Sequence, residues 1–441
     1  NTRLGALSVD LSLRPHLPKN GINQFMPPLR IAELGSRLRE SPLIRDTIST
    51  TAWAIAGRTG GFLIPFFIAA WFGVSGRTDA FFFVYGIVLF LSGMFAPVLE
   101  GVIVPFIAES RNRGEDVGKF VGKILSGSGL VLLAIGVLGM VVVTPILSLL
   151  TRFDPATLDL VWLLYVEIAP LIVLLVWSGI LSGCLNAYKK FMFPAVSPAL
   201  RAAICLLIIF LFKDSIGVHA IAAGYIAGEI IRVVVLASII RRLGLFKLRF
   251  SLYPDHRFNH FLKTASFQIA GIVAVGLTPV VNKTMASWLG AGNVSLLYYA
   301  ERLYMIPVTM LTAGLMVTIL SHWSERYYIS GLEKLRRDVK RAVKIAVRLA
   351  FLITIILLVF HRPIVKLAFG RGDFPQSDLS LVGWIWAGFL LGLVPYLAGV
   401  IYFQAHLTLK NTRILMKSGI YRSILNIILI FPLYDRTYKE I

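Results

Sequence analysis

Two charged residues, Glu301 and Arg302, lie well inside an apolar run at residues 290–325. A charge at membrane depth is costly, so it usually faces a protein interior or a water-filled cavity and marks a substrate path. Other apolar segments carry Arg58, Glu100, Glu167, Arg201, Glu229, Arg232, Lys283 and Arg422. Because the combined set is mainly basic, it indicates a cationic cavity for an anionic substrate.

Internal pairing is the alternative explanation for these charges. Glu229 and Arg232 are spaced i, i+3, so they can neutralise each other on one helix face. At ~1.5 Å per residue, Arg58 lies roughly 16 Å along its helix from Thr47, near the middle of the membrane. Arg302 lies about 10 Å from the outer end of its helix by the same rise. The candidate substrate-binding residues are Arg58, Asp79, Glu100, Arg201, Glu301 and Arg302.

The composition predicts an all-α polytopic membrane protein. Hydrophobic residues make up 57% of the 441 residues and charged residues 15%. Runs of ~20 apolar residues recur, and each can cross a bilayer as a helix whose backbone bonds to itself. The net charge of +21 lies mainly in short connections, which indicates membrane topology and no nucleic-acid partner.

The chain matches no nucleotide-binding or metalloprotease motif, so we predict no enzyme activity, no catalytic residue, no metal and no cofactor.

Eleven apolar segments are predicted, and the charge of their connections alternates. The segments are 47–72, 79–108, 124–150, 158–185, 193–212, 216–240, 264–288, 294–322, 345–368, 379–406 and 414–433. Alternate connections carry 24 Lys and Arg residues on one side and four on the other. The positive-inside rule therefore predicts a cytoplasmic N-terminal tail at 1–46 and a basic cytoplasmic linker at 241–263.

An internal repeat predicts the arrangement of the helices. The sequence WFG at residue 71 returns as WLG at 288, and an aromatic pair at 81–82 returns at 298–299, an offset of 217. Six helices per half give a parallel repeat, with an N-lobe at 47–240, a C-lobe at 264–441 and a cavity between them. Segment 216–240 should recur near 433–457, so we expect eleven helices and a truncated C-terminus that lacks the twelfth.

Three motifs in order carry a family resemblance. They are GRTDAFF at 76–82, GCLNAYKKF at 183–191 with Pro194, Ala195 and Pro198, and VSLLYYAERL at 294–303 with Pro307. The chain resembles the MurJ/MviN family of lipid II flippases, part of the MOP exporter superfamily of multidrug, oligosaccharidyl-lipid and polysaccharide transporters. The resemblance runs from about residue 47 to the end.

The resemblance also assigns expected roles to residues, with some departures. Family members hold the lipid pyrophosphate with arginines, which here match Arg58 and the acid–arginine pair Glu301-Arg302. Ile64 and Pro65 replace a family Arg-Asp pair. On the second helix, Ser92 and Gly93 replace a family arginine pair, while Glu100 and Gly101 match its Glu-Gly.

The implied function is a flippase in the bacterial inner membrane. It would move a lipid-linked, diphosphate-bearing glycan, such as lipid II for peptidoglycan, to the outer leaflet by alternating access. Coupling to the membrane potential or a monovalent cation is expected. Alternatives are an undecaprenyl-linked exopolysaccharide or O-antigen unit as substrate, a cation-coupled multidrug antiporter, a membrane scaffold, and a glycan ligase. The basic set disfavours the antiporter, the cost of buried charge disfavours the scaffold, and short outer loops disfavour the ligase.

The charge alternation generates a topology prediction. Ser330 should lie in the cytoplasm and Ser377 outside. Single cysteines at these positions, in a background without Cys184 and Cys205, should react oppositely with an impermeant thiol reagent added to intact cells. Reaction of both cysteines from the same side would contradict the topology.

Overall fold

The computed structural model describes Gly57, residues 60–251 and 278–409, and shorter stretches within 256–269 and 417–428. Throughout these residues, the regular elements are helices. The predicted tail at 1–46, the candidate residue Arg58 and Arg422 lie outside the described residues. So do parts of the apolar segments at 47–72, 264–288 and 414–433.

Twelve helices are numbered here in chain order within the described residues. They are α1 Gly60–Phe72, α2 Gly76–Asn112, α3 Val117–Leu150, α4 Pro155–Ile168, α5 Pro170–Ala187, α6 Met192–Ile216, α7 His219–Arg242, α8 Thr278–Ala286, α9 Asn293–Val359, α10 His361–Phe369, α11 Gln376–Leu391 and α12 Leu393–Thr408. Six membrane-length apolar helices occur in this part of the chain, or seven if the bent pair α11–α12 forms one span. The all-helical membrane class is therefore confirmed.

Breaks inside the predicted segments have local causes. Segment 158–185 becomes α4 and α5, which meet at Pro170. Segment 345–368 is interrupted between α9 and α10, just before Pro363. Proline lacks the N–H that an interior helical position donates and clashes with the preceding turn. Segment 379–406 bends by 40° between α11 and α12, where Gly392 ends the first helix.

Helix α9 spans predicted segment 294–322, the basic connection after it and the first part of segment 345–368. It consists of two helical parts that meet at a kink, where Gly331 has a non-helical φ of 75°. Glycine suits this position because it adopts positive φ without a Cβ clash. Beyond it, Leu335 and Val339 are buried while Lys334 and Arg336 are exposed. Residues 333–344 thus form an amphipathic helical stretch.

The connections between helices collect at two separate ends of the bundle. At one end, Trp288 Nε1 donates to the Leu150 carbonyl at 2.7 Å. At the same end, the Asp373 N–H donates to the Ala70 carbonyl at 2.8 Å. We call this the low-charge end; it comprises the connections 73–75, 151–154, 287–292 and 370–375.

The opposite end holds connections rich in Lys and Arg, and we call it the basic end. There the Tyr188 hydroxyl donates to the Leu245 carbonyl at 3.3 Å, and the Arg249 N–H donates to the Gly118 carbonyl at 3.3 Å. The two sets of contacts agree with the predicted alternation of connections along the chain.

Glycine permits the closest approach between α2 and α5. A Cβ on Gly183 would lie 2.6 Å from the Glu100 carbonyl oxygen and 2.6 Å from Ile103 Cγ2. Helix packing in membranes depends on such small residues, since lipid offers no hydrophobic drive between helices. Buried α1, α2, α5 and α7 side chains share one apolar core with the start of α9. A smaller core joins the later part of α9 to α12.

This packing predicts opposite effects for two glycine substitutions. Gly183→Ala should lower the free energy of unfolding by about 1–3 kcal/mol, because the methyl group overpacks the α2–α5 contact. Gly136→Ala is the matched control: its Cβ would meet only Ala169 Cβ, at 3.9 Å. Alanine there should stabilise α3 by roughly 0.5–1 kcal/mol. Thermal unfolding of both variants in detergent checks this, and equal melting temperatures would contradict the assigned contact.

Candidate functional site

A cavity of about 240 Å³ lies where α2 meets α8 and α9. Its lining includes Gly86 and Gly93 from α2, Lys283 from α8, and Glu301 and Arg302 from α9. The helices come from the first and second halves of the chain. The predicted cavity between two lobes is therefore present, although the predicted lobe boundaries at 240 and 264 stay a prediction.

Lys283 reaches across the boundary between the two halves. Its side chain is 4% exposed, and its ammonium donates to the carbonyl oxygen of Phe82 on α2 at 3.0 Å. A buried charge of this kind has to be held by polar groups because desolvation opposes it.

Arg302 and Lys283 flank one aromatic ring. Arg302 Cζ lies 4.8 Å from the centroid of the Tyr298 ring, and Lys283 Nζ lies 5.2 Å from it. Both distances fall in the range of cation–π attraction. Arg302 Nε is buried and has no hydrogen-bond partner among the described residues. The guanidinium therefore keeps a free donor at the cavity.

Glu301 is the acidic member of the cavity. Its charge attracts both the Lys283 ammonium and the Arg302 guanidinium. Within the described residues, no Lys or Arg nitrogen lies within 4.0 Å of its carboxylate. With two cations and one acid, the three groups carry a formal net charge of +1.

Tyrosines connect this cavity to the charges of the N-terminal half. The ring centroids of Tyr85 and Tyr225 lie 4.5 Å apart, and those of Tyr85 and Tyr298 lie 6.4 Å apart. Arg201 and Arg302 both act electrostatically on the Tyr85 hydroxyl. The tyrosines thus stand between a basic group from each half.

Arg201 belongs to an ion cluster on α6 and α7. Arg232 Nη1 lies 3.1 Å from Glu229 Oε1, and Arg201 Nη1 lies 3.5 Å from Glu229 Oε2. Arg232 Nε also donates to the Ser197 hydroxyl at 3.0 Å. The predicted pairing of Glu229 with Arg232 is confirmed, and Arg201 joins it from another helix.

Glu100 adds a second acid near this cluster. It accepts from Asn186 Nδ2 at 3.4 Å, and its charge acts on Arg232. Two acids and two arginines therefore balance formally in the N-terminal half. The unbalanced positive charge lies at the cavity between the two halves, where Lys283 and Arg302 face one acid, Glu301.

Asp79 binds protein groups at the low-charge end and does not line the cavity. It is fully buried, and its carboxylate accepts from the Gly292 N–H at 2.6 Å, the Ser295 N–H at 2.7 Å and the Ser295 hydroxyl at 2.5 Å. These N–H groups open α9, where a helix lacks internal acceptors and favours negative charge. Asp79 thus caps a helix of the second half from α2, and we call this contact the Asp79 latch.

Equivalent residues of the repeat meet beside the latch. Ser295 lies 217 positions after Thr78, and the Ser295 hydroxyl is 2.9 Å from the Thr78 hydroxyl. Phe82 packs edge-to-face on Tyr299, its counterpart, with centroids 5.2 Å apart. The Tyr299 hydroxyl also donates to the Gly73 carbonyl at 3.0 Å. The axis that relates the two halves therefore passes through this contact.

The structure separates the predicted site residues into three places. Glu301 and Arg302 lie at the cavity, Arg201 and Glu100 in or near the ion cluster, and Asp79 at the latch. Sequence reasoning left Lys283 out of the site, although a lysine inside a predicted span was the available signal. The contact with Phe82, 201 residues away, is not visible in the sequence.

A family model described as "Lipid II flippase MurJ" matches residues 68–438. The chain belongs to the MurJ family. A relative is the probable lipid II flippase MurJ of Buchnera aphidicola subsp. Acyrthosiphon pisum, 24% identical over 405 residues, which cover 87% of this chain and 77% of that protein. Another is the lipid II flippase MurJ of Burkholderia cenocepacia, 25% identical over 367 residues, covering 80% and 70%.

Solved structures show the same fold. Lipid II flippase MurJ in an inward closed conformation superposes with a TM-score of 0.71 at 24% identity, covering 88% of this chain and 80% of that one. An inward-facing multidrug resistance MATE transporter of the MOP superfamily gives 0.69 at 14% identity, covering 84% of each chain. The family's fold and the multi-pass membrane class are thus shown.

The latch predicts that Asp79→Ala loosens the low-charge end. The substitution leaves three donors without their acceptor, and a hydrogen bond to a charged group contributes about 1.5–3 kcal/mol. A cysteine at the cavity residue Met94, in a background without native cysteines, should then react with an external impermeant thiol reagent about tenfold faster or more.

Asp154→Ala is the matched control for this experiment. Asp154 also caps a helix at the low-charge end, but it accepts from Thr157 N, at 3.2 Å, on the helix that it precedes. Its loss should leave the Met94 cysteine unchanged. An equal rise in both variants would show that general loosening, and not the latch, controls access.

Proposed function

We propose that this chain is a flippase for lipid II, the lipid-linked diphosphate glycan precursor of peptidoglycan. It acts in the bacterial cytoplasmic membrane and moves the headgroup from the inner to the outer leaflet. Membership of the MurJ family supports this proposal, as do the names of the Buchnera and Burkholderia relatives. No covalent step is required, so the chain works as a transporter and not as an enzyme.

One observation carries the proposal: the cavity between the two halves has a net positive charge. Arg302 and Lys283 outnumber Glu301, and Arg302 Nε keeps a buried donor without a partner. A diphosphate is the part of lipid II that such a site can hold. Arginine and lysine pair with phosphate oxygens by charge-assisted hydrogen bonds, which are stronger than neutral ones.

Alternating access follows from the size of the cavity and from the latch. Small-molecule sites usually enclose about 300–1,000 Å³, whereas this cavity encloses about 240 Å³. A glycan headgroup therefore requires the two halves to separate. Placing the basic end in the cytoplasm makes the low-charge end the outer face, which the Asp79 latch holds closed.

The membrane potential supplies a driving force in this scheme. Each negative charge that moves outward across an inside-negative membrane gains roughly 2.3 kcal/mol per 100 mV. The headgroup crosses through the cavity while the lipid tail stays in the bilayer. A monovalent cation gradient is the alternative source of coupling.

The basic cavity disfavours the main rival, a multidrug antiporter of the same fold. A cationic drug needs acidic groups in excess, and the cavity has the opposite balance. An exopolysaccharide or O-antigen unit linked to undecaprenyl diphosphate shares the diphosphate, so only the glycan distinguishes it from lipid II.

Complementation tests the function directly. The complete gene that contains this sequence, expressed in a bacterium depleted of its own lipid II flippase, should restore growth and the exposure of lipid II on the outer leaflet. Failure of both, with the protein present in the membrane, would refute lipid II as substrate. Export of a different undecaprenyl-linked glycan in the same cells would favour the alternative.

Arg302 should be required in this assay. Arg302→Ala should reduce flipping at least about a hundredfold, which is the loss expected for two charge-assisted hydrogen bonds of about 1.5 kcal/mol each. Lysine should recover part of the activity, because an ammonium is a point charge and cannot bind two phosphate oxygens in a fork. The readout is lipid II on the outer leaflet, normalised to protein in the membrane.

A double change tests whether Arg302 only balances Glu301. Glu301→Gln with Arg302→Gln removes both charges together, so it should still fail if Arg302 binds the diphosphate. Arg113→Ala is the control: Arg113 is an exposed arginine paired with Glu109 at 2.7 Å, and its loss should leave flipping unchanged. Normal flipping by Arg302→Ala would remove Arg302 from the site.

A further inference from the structure

The position of Lys283 makes a purely structural role inefficient. Its ammonium has three N–H bonds, and one of them donates to the Phe82 carbonyl. An ammonium buried to this degree loses its hydration, so a neutral donor would join α8 to α2 at lower cost. The positive charge therefore indicates a functional role for Lys283. Its side chain lies on the wall of the cavity.

Gly86 gives the ammonium its place against α2. A Cβ on Gly86 would lie 2.5 Å from Lys283 Nζ and 3.0 Å from Lys283 Cδ. In a helix, the Phe82 carbonyl accepts from the N–H of Gly86, and the second lone pair of that oxygen remains for Lys283. The missing side chain at residue 86 is therefore what lets the Lys283 ammonium reach the Phe82 carbonyl oxygen.

The formal charge of the cavity depends on Lys283. Arg302 alone would be neutralised by Glu301, its neighbour in the chain. Lys283 adds the charge that makes the three groups net positive. A monophosphate presents one phosphate group, which the planar fork of Arg302 can hold, whereas a diphosphate presents a second phosphate group that needs another cation.

We propose that Lys283 is a substrate-binding residue that makes the cavity selective for a diphosphate over a monophosphate. Arg302 binds phosphate oxygens with its planar fork, and Lys283 adds a point charge for the adjacent phosphate. The inference rests on the proposed flippase function. It assigns to a residue of α8 the extra positive charge that the diphosphate requires.

Binding of two lipids to the purified protein tests the selectivity. The probes are undecaprenyl diphosphate and undecaprenyl monophosphate in detergent, each titrated against the wild type and Lys283→Met. The wild type should prefer the diphosphate. Lys283→Met should weaken diphosphate binding about tenfold or more, the loss of one charge-assisted contact. Monophosphate binding should change much less.

Gly86→Ala separates the charge of Lys283 from its contact with Phe82. The new methyl group displaces the ammonium from the carbonyl oxygen but leaves the charge at the cavity. If the charge matters, Gly86→Ala should keep most of the diphosphate preference that Lys283→Met loses. Equal losses in the two variants would make Lys283 a structural tether and overturn the inference.

Relocation of the charge gives a test that a folding defect cannot imitate. Gly93 lines the same cavity, and a Cβ there meets nothing within 4 Å. Lys283→Met with Gly93→Arg should therefore regain diphosphate preference and flipping. The control is Lys283→Met with Gly101→Arg, since Gly101 has the same open space on α2 but does not line this cavity. Only the Gly93 variant should recover.

The outcomes distinguish this inference from the proposed function. A wild type that binds neither lipid, and does not restore lipid II exposure in cells, would overturn both. A wild type that prefers the diphosphate, with an unchanged preference in Lys283→Met, would overturn the role of Lys283 alone. Melting temperatures accompany each titration; Lys283→Met should melt at or above the wild-type temperature, because it removes a desolvated charge.

Discussion

The cost of holding charge away from water governs where this bundle places its polar groups. A charged side chain in an apolar interior is usually paired with polar or charged groups, or it serves a function such as binding a substrate. In the N-terminal half the charges pair with one another: Glu229 lies within 3.5 Å of both Arg201 and Arg232. At the cavity between the halves, Lys283 and Arg302 share one acid, and Arg302 Nε has no hydrogen-bond partner among the residues that the structure describes. The same physical cost thus separates a balanced structural cluster from a site that can receive an anion.

Sequence reasoning succeeded where the cause of structure is local. Apolar runs predicted the spans, prolines account for two of the breaks inside them, and i, i+3 spacing predicted the pairing of Glu229 with Arg232. The sequence did not predict contacts between residues that are far apart in the chain. Arg201 joins that pair from another helix, and Asp79 binds groups 213 and 216 residues away. Nothing in a linear pattern distinguishes an acid that caps a distant helix from one that binds substrate.

Lys283 is a second example of a residue whose contacts the sequence did not predict. Its position inside a predicted span marked it as unusual, but its contact with Phe82 depends on Gly86 of a different helix. The absence of a side chain on α2 creates the space that a lysine of α8 fills. The position of Lys283 is thus explained only together with Gly86, the residue of α2 that packs against it. Ser92 and Gly93 lie on that same helix, and Gly93 lines the cavity that Lys283 enters.

The contact between Thr78 and Ser295 has a consequence for the opposite end of the molecule. Inverted repeats can use one set of contacts twice, because their symmetry exchanges the two membrane faces. Here the repeat is parallel, its axis runs along the membrane normal, and each end maps only onto itself. The sequence that closes the low-charge end therefore has no symmetry-related copy at the basic end. The basic end is therefore closed by a different set of residues, so the contacts that close the two ends can differ in strength and can be changed by separate substitutions.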